Sequence, residues 1–311
     1  MTLEYLQLLG IFMTMVILKY LLLLQILPLG LVFSQTYEIS DGVYSFTSAS
    51  GYVSMFILTG EGVMVIEPVN SQHAISMIQA IKSITDEPIK YLFYSHNHWD
   101  HASGGQVFKD IGSTIIAHEY AYHYIEANTG PDQVLPDEVW SGSRNDVTVG
   151  GVTLELHYYG GSHGVGMTAF LLPGARVAYI ADTVSPNRVG MATLPDFDIQ
   201  QWQNTLEEYL KLDFDKAVFT HNNYPEPVKG GTKDDVVQMI AFLKDVRDGI
   251  YAELEKGTPA FLIPTTLKLP KYEHWDFYNE WLPMNIWAIF LQEPISMGPF
   301  MTGPRQEDPQ L

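Results

Sequence analysis

The sequence predicts an α/β protein in which two mixed β-sheets pack face to face and helices cover their outer faces. Hydrophobic residues make up 46% of the 311 residues and charged residues 17%, a balance typical of a globular chain with a substantial core. Strand-like segments come first along the chain, and strands and helices alternate after them, which favours two packed sheets with external helices. No internal repeat, low-complexity block or Pro/Gly linker separates these segments.

The first elements are strands and hairpins. From Tyr37, the segment YEISDGVYSFTS alternates like a strand, and a hairpin with its turn at Thr59–Gly62 follows it. Ser71 is a suitable N-cap for a helix that runs to about Ser83. The apolar segment Tyr91–Tyr94 then predicts a short buried strand.

The second half of the sequence alternates between strands and helices. A helix is expected from Gly104 to Ile111, and the strand STIIAHE follows it. Two more hairpins have their turns at Gly150-Gly151 and Pro173-Gly174. Helices are predicted at Ile199–Leu212 and Lys233–Glu255, with the strand KAVFTH between them.

The N-terminal residues 1–34 differ from this pattern. The apolar run Leu21–Phe33 follows Lys19, and small residues precede Gln35 as they do at a signal-peptide cleavage site. These features predict a signal peptide and a secreted or periplasmic protein. The alternative is one uncleaved membrane anchor formed by both apolar stretches, although Lys19 inside it argues against a clean span.

Residues 259–311 are expected to form an extension on a catalytic domain of residues 35–258. This segment is rich in Pro and aromatic residues, and four aromatic residues are spaced by threes: Tyr272, Trp275, Tyr278 and Trp281. One interpretation is a helix that packs its aromatic face on the domain. The other is that part of the segment forms a wall of the substrate pocket.

Charge and cysteine content exclude several classes of function. The chain has 17 Lys and Arg against 36 Asp and Glu, a formal net charge of -19. Such a surface repels phosphate backbones, so no nucleic-acid partner is expected. There are no cysteines, which excludes disulfides and metal sites built on thiolates.

A dense group of metal-binding residue types follows the predicted strand at Tyr91–Tyr94. Three imidazoles and one carboxylate lie within six positions: His96, His98, Asp100 and His101. A loop that leaves a strand end can direct alternate side chains inward, so His96 and His98 can bind one cation. Asp100 and His101 then point elsewhere and can serve a second cation. Since such a cluster is hard to explain structurally, it predicts a metal site.

The pattern HxHxDH in this setting resembles the metallo-β-lactamase superfamily. Three more positions of that family are matched in order by His163, Asp182 and His221, each at the end of a predicted strand. The resemblance extends from Tyr37 to about Leu254. It implies an αββα sandwich with the site along the edge between the sheets.

The resemblance also implies a centre for two metal ions. The expected ligands are His96, His98 and His163 for one ion, Asp100, His101 and His221 for the other, and Asp182 as the bridge. A His-rich set of this kind suits two Zn²⁺, and the carboxylates would also accept Fe or Mn. Glu67 stands where the family usually has an Asp, and we expect it to contact a His ligand.

The implied reaction is hydrolysis of a small-molecule substrate. Two neighbouring cations would lower the pKa of a shared water, and the bridging hydroxide would attack a lactone, ester, thioester or β-lactam amide. Asp100 would orient the hydroxide and pass a proton to the leaving group. Asn223 or Tyr224 would donate a hydrogen bond to a substrate oxygen, unless both only shape the loop after His221.

Two alternative functions remain open. One is a mononuclear iron enzyme such as a sulfur dioxygenase, although both sets of ligands are present here. The other is a non-catalytic binding protein on the same scaffold, although such proteins tend to lose ligands. A Lys that often holds the drug carboxylate in β-lactamases is missing from Thr183–Ser185, so the substrate is left unspecified.

Overall fold

A seven-stranded and a five-stranded sheet form the centre of the computed structural model, which describes residues 34–297. The first sheet contains, in this spatial order, β1 (Gln35–Ser40), β2 (Val43–Thr47), β3 (Val53–Leu58), β4 (Val63–Ile66), β5 (Ile89–Phe93), β6 (Thr114–His118) and β7 (Glu138–Trp140). The second contains β8 (Arg144–Val149), β9 (Val152–Tyr158), β10 (Thr168–Leu172), β11 (Val177–Ile180) and β12 (Lys216–Phe219), with β8 and β12 at its edges. Strands β1 to β4 and β8 to β11 are antiparallel, whereas β4 to β7 and the pair β11 and β12 are parallel, so both sheets are mixed.

Helices connect these strands or flank them. In the described residues they are α1 (Ser71–Ile84), α2 (Trp99–Ala102), α3 (Gly105–Lys109), α4 (Glu119–Ala127), α5 (Ile199–Lys211), α6 (Lys233–Glu255), α7 (Ile263–Thr266) and α8 (Tyr278–Gln292). Short 3-10 turns lie at Pro227–Lys229, Ala260–Leu262 and Pro270–Tyr272.

The buried hydrophobic residues form three layers. Between the sheets, Phe93 and Phe170 have their ring centroids 5.9 Å apart. On the outer face of the larger sheet, α1 buries Met77, and on the outer face of the smaller sheet α5 and α6 bury Trp202 and Phe242. Since full burial of one such side chain contributes roughly 1.5–3 kcal/mol, these layers hold the helices on the sheets. The predicted αββα sandwich is confirmed.

Local capping explains where two helices begin. Helix α6 has the predicted bounds. Its start at Lys233 is explained by the capping box that Thr232 and Asp235 form at its N-terminus. The predicted N-cap of α1 is displaced by one residue. The side chain of Asn70 accepts a hydrogen bond from the N–H of His73 at 2.9 Å, and Ser71 is the first helical residue.

The described part of the C-terminal segment, residues 259–297, packs beside α6. Its aromatic residues do not share one helix, because Tyr272 and Trp275 precede α8, which begins at Tyr278. All three side chains are nevertheless buried in the core layer that contains α5 and α6. The segment therefore contributes directly to that layer.

Two predictions concern residues outside the described range. The targeting segment, residues 1–34, lies outside it apart from Ser34, and so does the end of the C-terminal segment, residues 298–311. Within residues 34–297, no helix combines the length and the apolar character needed to cross a membrane.

Candidate metal centre

The predicted ligands meet at one edge of the sandwich because each follows the end of a strand. His96 and His98 lie beyond β5, and His163 lies beyond β9. Asp182 and His221 each stand two residues after the last residue of β11 and β12, which are parallel neighbours. Asp100 and His101 lie in α2, the single helical turn that the chain makes directly after His98.

Asp182 occupies the centre of the site. Its Oδ2 atom is 2.9 Å from Nε2 of His163 and 3.6 Å from Nε2 of His96. Its Oδ1 atom is 3.1 Å from Nε2 of both His101 and His221. The two carboxylate oxygens thus face two different pairs of imidazoles, which is the placement required of a carboxylate that bridges two ions.

The remaining ligands complete two sets around this carboxylate. Ligand atoms of His96, His98, His163 and Asp182 lie within 4.8 Å of one another, and so do those of Asp100, His101 and His221. The structure therefore brings together all seven residues that the sequence predicted as metal ligands.

Buried ring nitrogens without hydrogen-bond partners converge on Asp182. Nε2 of His96 and Nε2 of His101 are shielded from solvent and form no hydrogen bond with the described part of the chain. A buried polar atom left unpaired costs about 1–3 kcal/mol. Cations between these nitrogens and the Asp182 carboxylate would satisfy them. The residues present fit a dinuclear metal site.

The surroundings of His96, His163 and Asp182 favour the protonation states that bind metal. Burial, together with the neighbouring His101, holds the pKa of His96 well below its usual range, and burial also lowers the pKa of His163. Burial alone would raise the pKa of Asp182, but His101 and His221 lower it well below the ordinary value. Neutral imidazole and ionised carboxylate are the forms that coordinate a cation. At His101, by contrast, burial alone would lower the pKa, but Asp182 and Glu67 raise it well above its usual range.

Glu67 holds one ligand from outside the centre. The residue is fully buried directly after β4, where its backbone adopts a φ of 62°. Its Oε1 atom lies 3.0 Å from Nδ1 of His101. Its Oε2 atom accepts hydrogen bonds from the hydroxyls of Tyr179 at 2.6 Å and Thr220 at 2.9 Å. The carboxylate is thus fixed in position and sets the orientation of the His101 ring.

The imidazole rings of His96 and His98 also contact polar side chains that are not predicted ligands. The hydroxyl of Ser95 donates to Glu67, and its oxygen lies 2.8 Å from Nδ1 of His96. Nε2 of His98 lies 3.1 Å from Oδ2 of Asp196. Neither Ser95 nor Asp196 belongs to a recognisable motif, and the sequence alone did not single out either of them.

A cavity of about 610 Å³ opens over the centre. Its lining includes the apolar side chains of Trp99, Met191 and Phe197. It also includes two hydrogen-bond donors that the sequence did not indicate, Tyr52 and Arg188. The Tyr52 hydroxyl donates to Oδ2 of Asp100 at 2.7 Å, so Asp100 has a fixed partner on the cavity side.

Arg188 is a cation without a carboxylate partner. Within residues 34–297 no acidic side chain forms an ion pair with it, and its one hydrogen bond there runs from Nη2 to the Ser185 hydroxyl at 2.9 Å. Its Nε atom is buried and unpaired. Burial lowers the pKa of this guanidinium, and the charge of Asp182 opposes that shift.

Asn223 and Tyr224 were expected either to donate to a substrate oxygen or only to shape the loop after His221, and their contacts agree with the second alternative. The side chain of Asn223 donates to Asp276, and the Tyr224 hydroxyl donates to Asp235 at the start of α6. Neither residue lines the cavity. Both donors are thus engaged in holding the loop, whereas Tyr52 and Arg188 are among the residues that line the cavity.

The class of protein follows from this fold and site. The profile of the metallo-beta-lactamase superfamily matches residues 49–221, which is more than half of the chain and includes every predicted metal ligand. The chain belongs to the metallo-beta-lactamase superfamily, as the HxHxDH pattern indicated.

Two solved structures have a similar fold. The metallo-beta-lactamase from Pontibacter korlensis matches with a TM-score of 0.58 and 17% identity, over 68% of this chain and 99% of that chain. A double mutant of the sec-alkyl sulfatase PisA1 matches with a TM-score of 0.66 and 18% identity, over 86% of this chain and 52% of that chain. At these identities the likeness concerns the fold.

A relative with higher sequence identity is named as a demethylase subunit, not as a lactamase or a sulfatase. The 2,4-dinitroanisole O-demethylase subunit alpha of Nocardioides sp. (strain JS1661) is 34% identical over 135 residues. The alignment covers 43% of this chain and 41% of the relative, so the chain matches less than half of that protein's length.

Proposed function

We propose that the protein is a metallohydrolase that binds two Zn²⁺ ions and acts on a small molecule. The observation that supports this most strongly is Asp182, whose two oxygens face separate pairs of imidazoles. One ion would be held by His96, His98 and His163, and the other by Asp100, His101 and His221. When bound, two such ions lower the pKa of a shared water to about neutral and polarise a substrate oxygen.

The chain's own residues supply orientation and proton transfer. Tyr52 donates to Asp100 and so limits the positions that this carboxylate can adopt. Burial and the charge of Asp100 raise the pKa of Tyr52 far above its usual range, so the phenol stays a donor at neutral pH. Asp100 is then placed to accept a proton from the attacking water and return it to the leaving group.

Metal analysis and the variant Asp100→Asn test this proposal. We expect two zinc ions per chain and hydrolysis of a compound in a panel of esters, lactones, thioesters and β-lactams. The Asn side chain cannot accept the proton, so turnover should fall about 10²–10⁴-fold. The free energy of unfolding should change by roughly 1 kcal/mol or less, because the side chain is partly exposed. One iron per chain, or unchanged turnover, would contradict the proposal.

Arg188 suggests part of the substrate's chemistry. A guanidinium with no ion-pair partner among residues 34–297, in a cavity that also has apolar lining residues, fits a substrate with an anionic or strongly polar oxygen group and an apolar body. We propose that Arg188 binds that oxygen group.

The variant Arg188→Leu should then raise KM about 10–100-fold, the usual effect of losing a hydrogen bond to a charged group. The value of kcat and the metal content should change little, since Arg188 is not a ligand. Steady-state kinetics would measure this, with Arg188→Lys as a variant that retains the charge and the exposed Arg144→Leu as a surface control. An unchanged KM in Arg188→Leu would refute the role.

The relative named as a 2,4-dinitroanisole O-demethylase subunit favours a second candidate reaction, the cleavage of an activated aryl methyl ether. The aromatic and apolar residues in the cavity lining suit such a ring. Hydroxide would add to the ring carbon that bears the methoxy group, and the bond from that carbon to the methoxy oxygen would break. The methoxide leaves as methanol after taking a proton, and the ring keeps the new oxygen as a phenolate. Nitro-substituted aryl methyl ethers therefore belong in the substrate panel.

We also propose that the protein is exported and has no nucleic-acid partner. Export rests on the apolar segment of residues 1–34, and the second statement rests on the net charge of -19. Sequencing the N-terminus of the mature protein tests export, and Gln35 is the expected first residue.

A further inference from the structure

The loop between β11 and α5 forms much of the cavity wall. It contributes Arg188, Met191, Pro195 and Phe197 to the lining. The side chain of Asp196, in the same loop, contacts His98. The position of this loop therefore affects both the space for a substrate and the orientation of one metal ligand.

The loop has a backbone conformation that two of its residues, Ala192 and Leu194, do not favour. Four residues that are not glycine adopt φ between 44° and 64°, namely Asn187, Ala192, Leu194 and Asp196. Side chains other than that of Asn or Asp rarely adopt this region, because Cβ approaches the backbone. Such a conformation persists only when surrounding structure holds it.

The C-terminal segment is one part of the surrounding structure that holds the loop. Backbone hydrogen bonds from Asp198 to Ser162 and from Asn223 to Pro186 also hold it. The side chain of Asn285, in α8, is fully buried, and its Nδ2 donates to the carbonyl oxygens of Gly190 at 2.9 Å and Ala192 at 2.7 Å. Its amide group thus binds both ends of a short stretch of the wall.

Two further contacts hold the ends of the loop. Near the loop's C-terminal end, Gln292 accepts from the N–H of Ile199 at 3.0 Å and donates to the carbonyl of Phe197 at 2.9 Å. At the loop's N-terminal end, the N–H of Asp276 donates to the carbonyl of Asn187 at 2.9 Å. The described part of the C-terminal segment contributes no residue to the cavity lining itself.

We propose that Asn285 and Gln292 are positioning residues that fix the substrate-facing loop, and that the C-terminal segment thereby sets which substrates the cavity accepts. The segment lies outside the region matched by the superfamily profile, residues 49–221. Variation in this segment would then change selectivity without a change in any metal ligand. The kinetic consequence rests on the proposed function, whereas the fixing of the loop does not.

Hydrogen exchange in the metal-free full-length protein tests the fixing of the loop. Asn285→Leu has nearly the same size and removes both donors, and Gln292→Glu keeps an acceptor for Ile199 but loses the donor to Phe197. We expect amides 187–199 to exchange about tenfold faster in both variants. The control is Ile250→Ala in α6, a buried residue of the same core layer that forms no side-chain hydrogen bond.

The control separates loop positioning from general loss of packing. If exchange over 187–199 rises no more in the two variants than in Ile250→Ala, the inference is wrong. Should Asn285→Leu fail to fold, Gln292→Glu decides the question, because Gln292 is only partly buried at the end of α8. Once a substrate is identified, KM should rise about tenfold in Asn285→Leu and Gln292→Glu, while kcat changes less. A loosened loop with unchanged KM and kcat would overturn the selectivity claim.

Discussion

The variant Asp182→Asn is expected to lose one of the two metal ions and to reduce turnover by a factor on the order of 10³, the kinetic equivalent of several kcal/mol of lost charge stabilisation. The side chain keeps its size. Its amide nitrogen, however, would face one pair of imidazoles, either His96 and His163 or His101 and His221. An amide N–H₂ cannot bind a cation, so the pair it faces loses the shared ligand.

Metal content after extensive dialysis, measured by mass spectrometry of the metal per chain, gives the direct readout. We expect two ions in the parent protein and at most one in Asp182→Asn. The exposed Asp215, which is paired with Arg176 on the surface, provides a matched control, and Asp215→Asn should keep both ions. Two ions bound with unaltered affinity in Asp182→Asn would show that Asp182 does not bridge them.

The metal ligands could be predicted from the sequence because each stands at a fixed place relative to a strand. His96 and His98 follow a short, mainly apolar strand, and Asp182 and His221 stand at the same distance beyond two parallel neighbours. The register of the sheet then brings them together. The dense cluster after β5 indicates a metal site by itself, whereas His163, Asp182 and His221 were expected from the resemblance to the metallo-β-lactamase superfamily.

The residues of the cavity wall could not be predicted in the same way. Arg188 and Asp196 lie in a loop whose path depends on contacts from Asn285 and Gln292, about 90 or more residues later in the chain. No local pattern reports such contacts. Sequence proximity to His221 suggested Tyr224 as a donor, but the side chain is held by Asp235 instead.

The helices also differ in how far local sequence signals predict them. The capping box of α6 is a local signal, and the helix has the predicted bounds. By contrast, α4 was not predicted. The nine-residue sequence EYAYHYIEA is short for an independently stable helix, and the helix buries only Ala121 and Ile125. The tertiary structure, rather than the local sequence, decides the conformation of such a segment.

Glu67→Gln is expected to weaken metal binding about 10–100-fold, the usual effect of removing a carboxylate that orients a His ligand. The carboxylate lies 3.0 Å from Nδ1 of His101 and favours the tautomer in which Nδ1 carries the proton and Nε2 is free for a cation. A neutral amide loses that charge-assisted contact. The free energy of unfolding should also fall by about 1–3 kcal/mol, because the amide cannot accept from Tyr179 and Ser95 with the same geometry.

The variant Tyr179→Phe separates the effect on metal affinity from the effect on stability. It removes a donor to Oε2 of Glu67 but leaves Oε1 facing His101. We therefore expect a loss of about 1–3 kcal/mol in stability with metal affinity within a few-fold of the parent. Competition with a chelator measures the affinity, and denaturant unfolding of the metal-free proteins measures the stability. If both variants lower metal affinity equally, Glu67 acts through general packing. If only Glu67→Gln does, the carboxylate orients His101 directly, and its longer side chain serves where related proteins usually have an Asp.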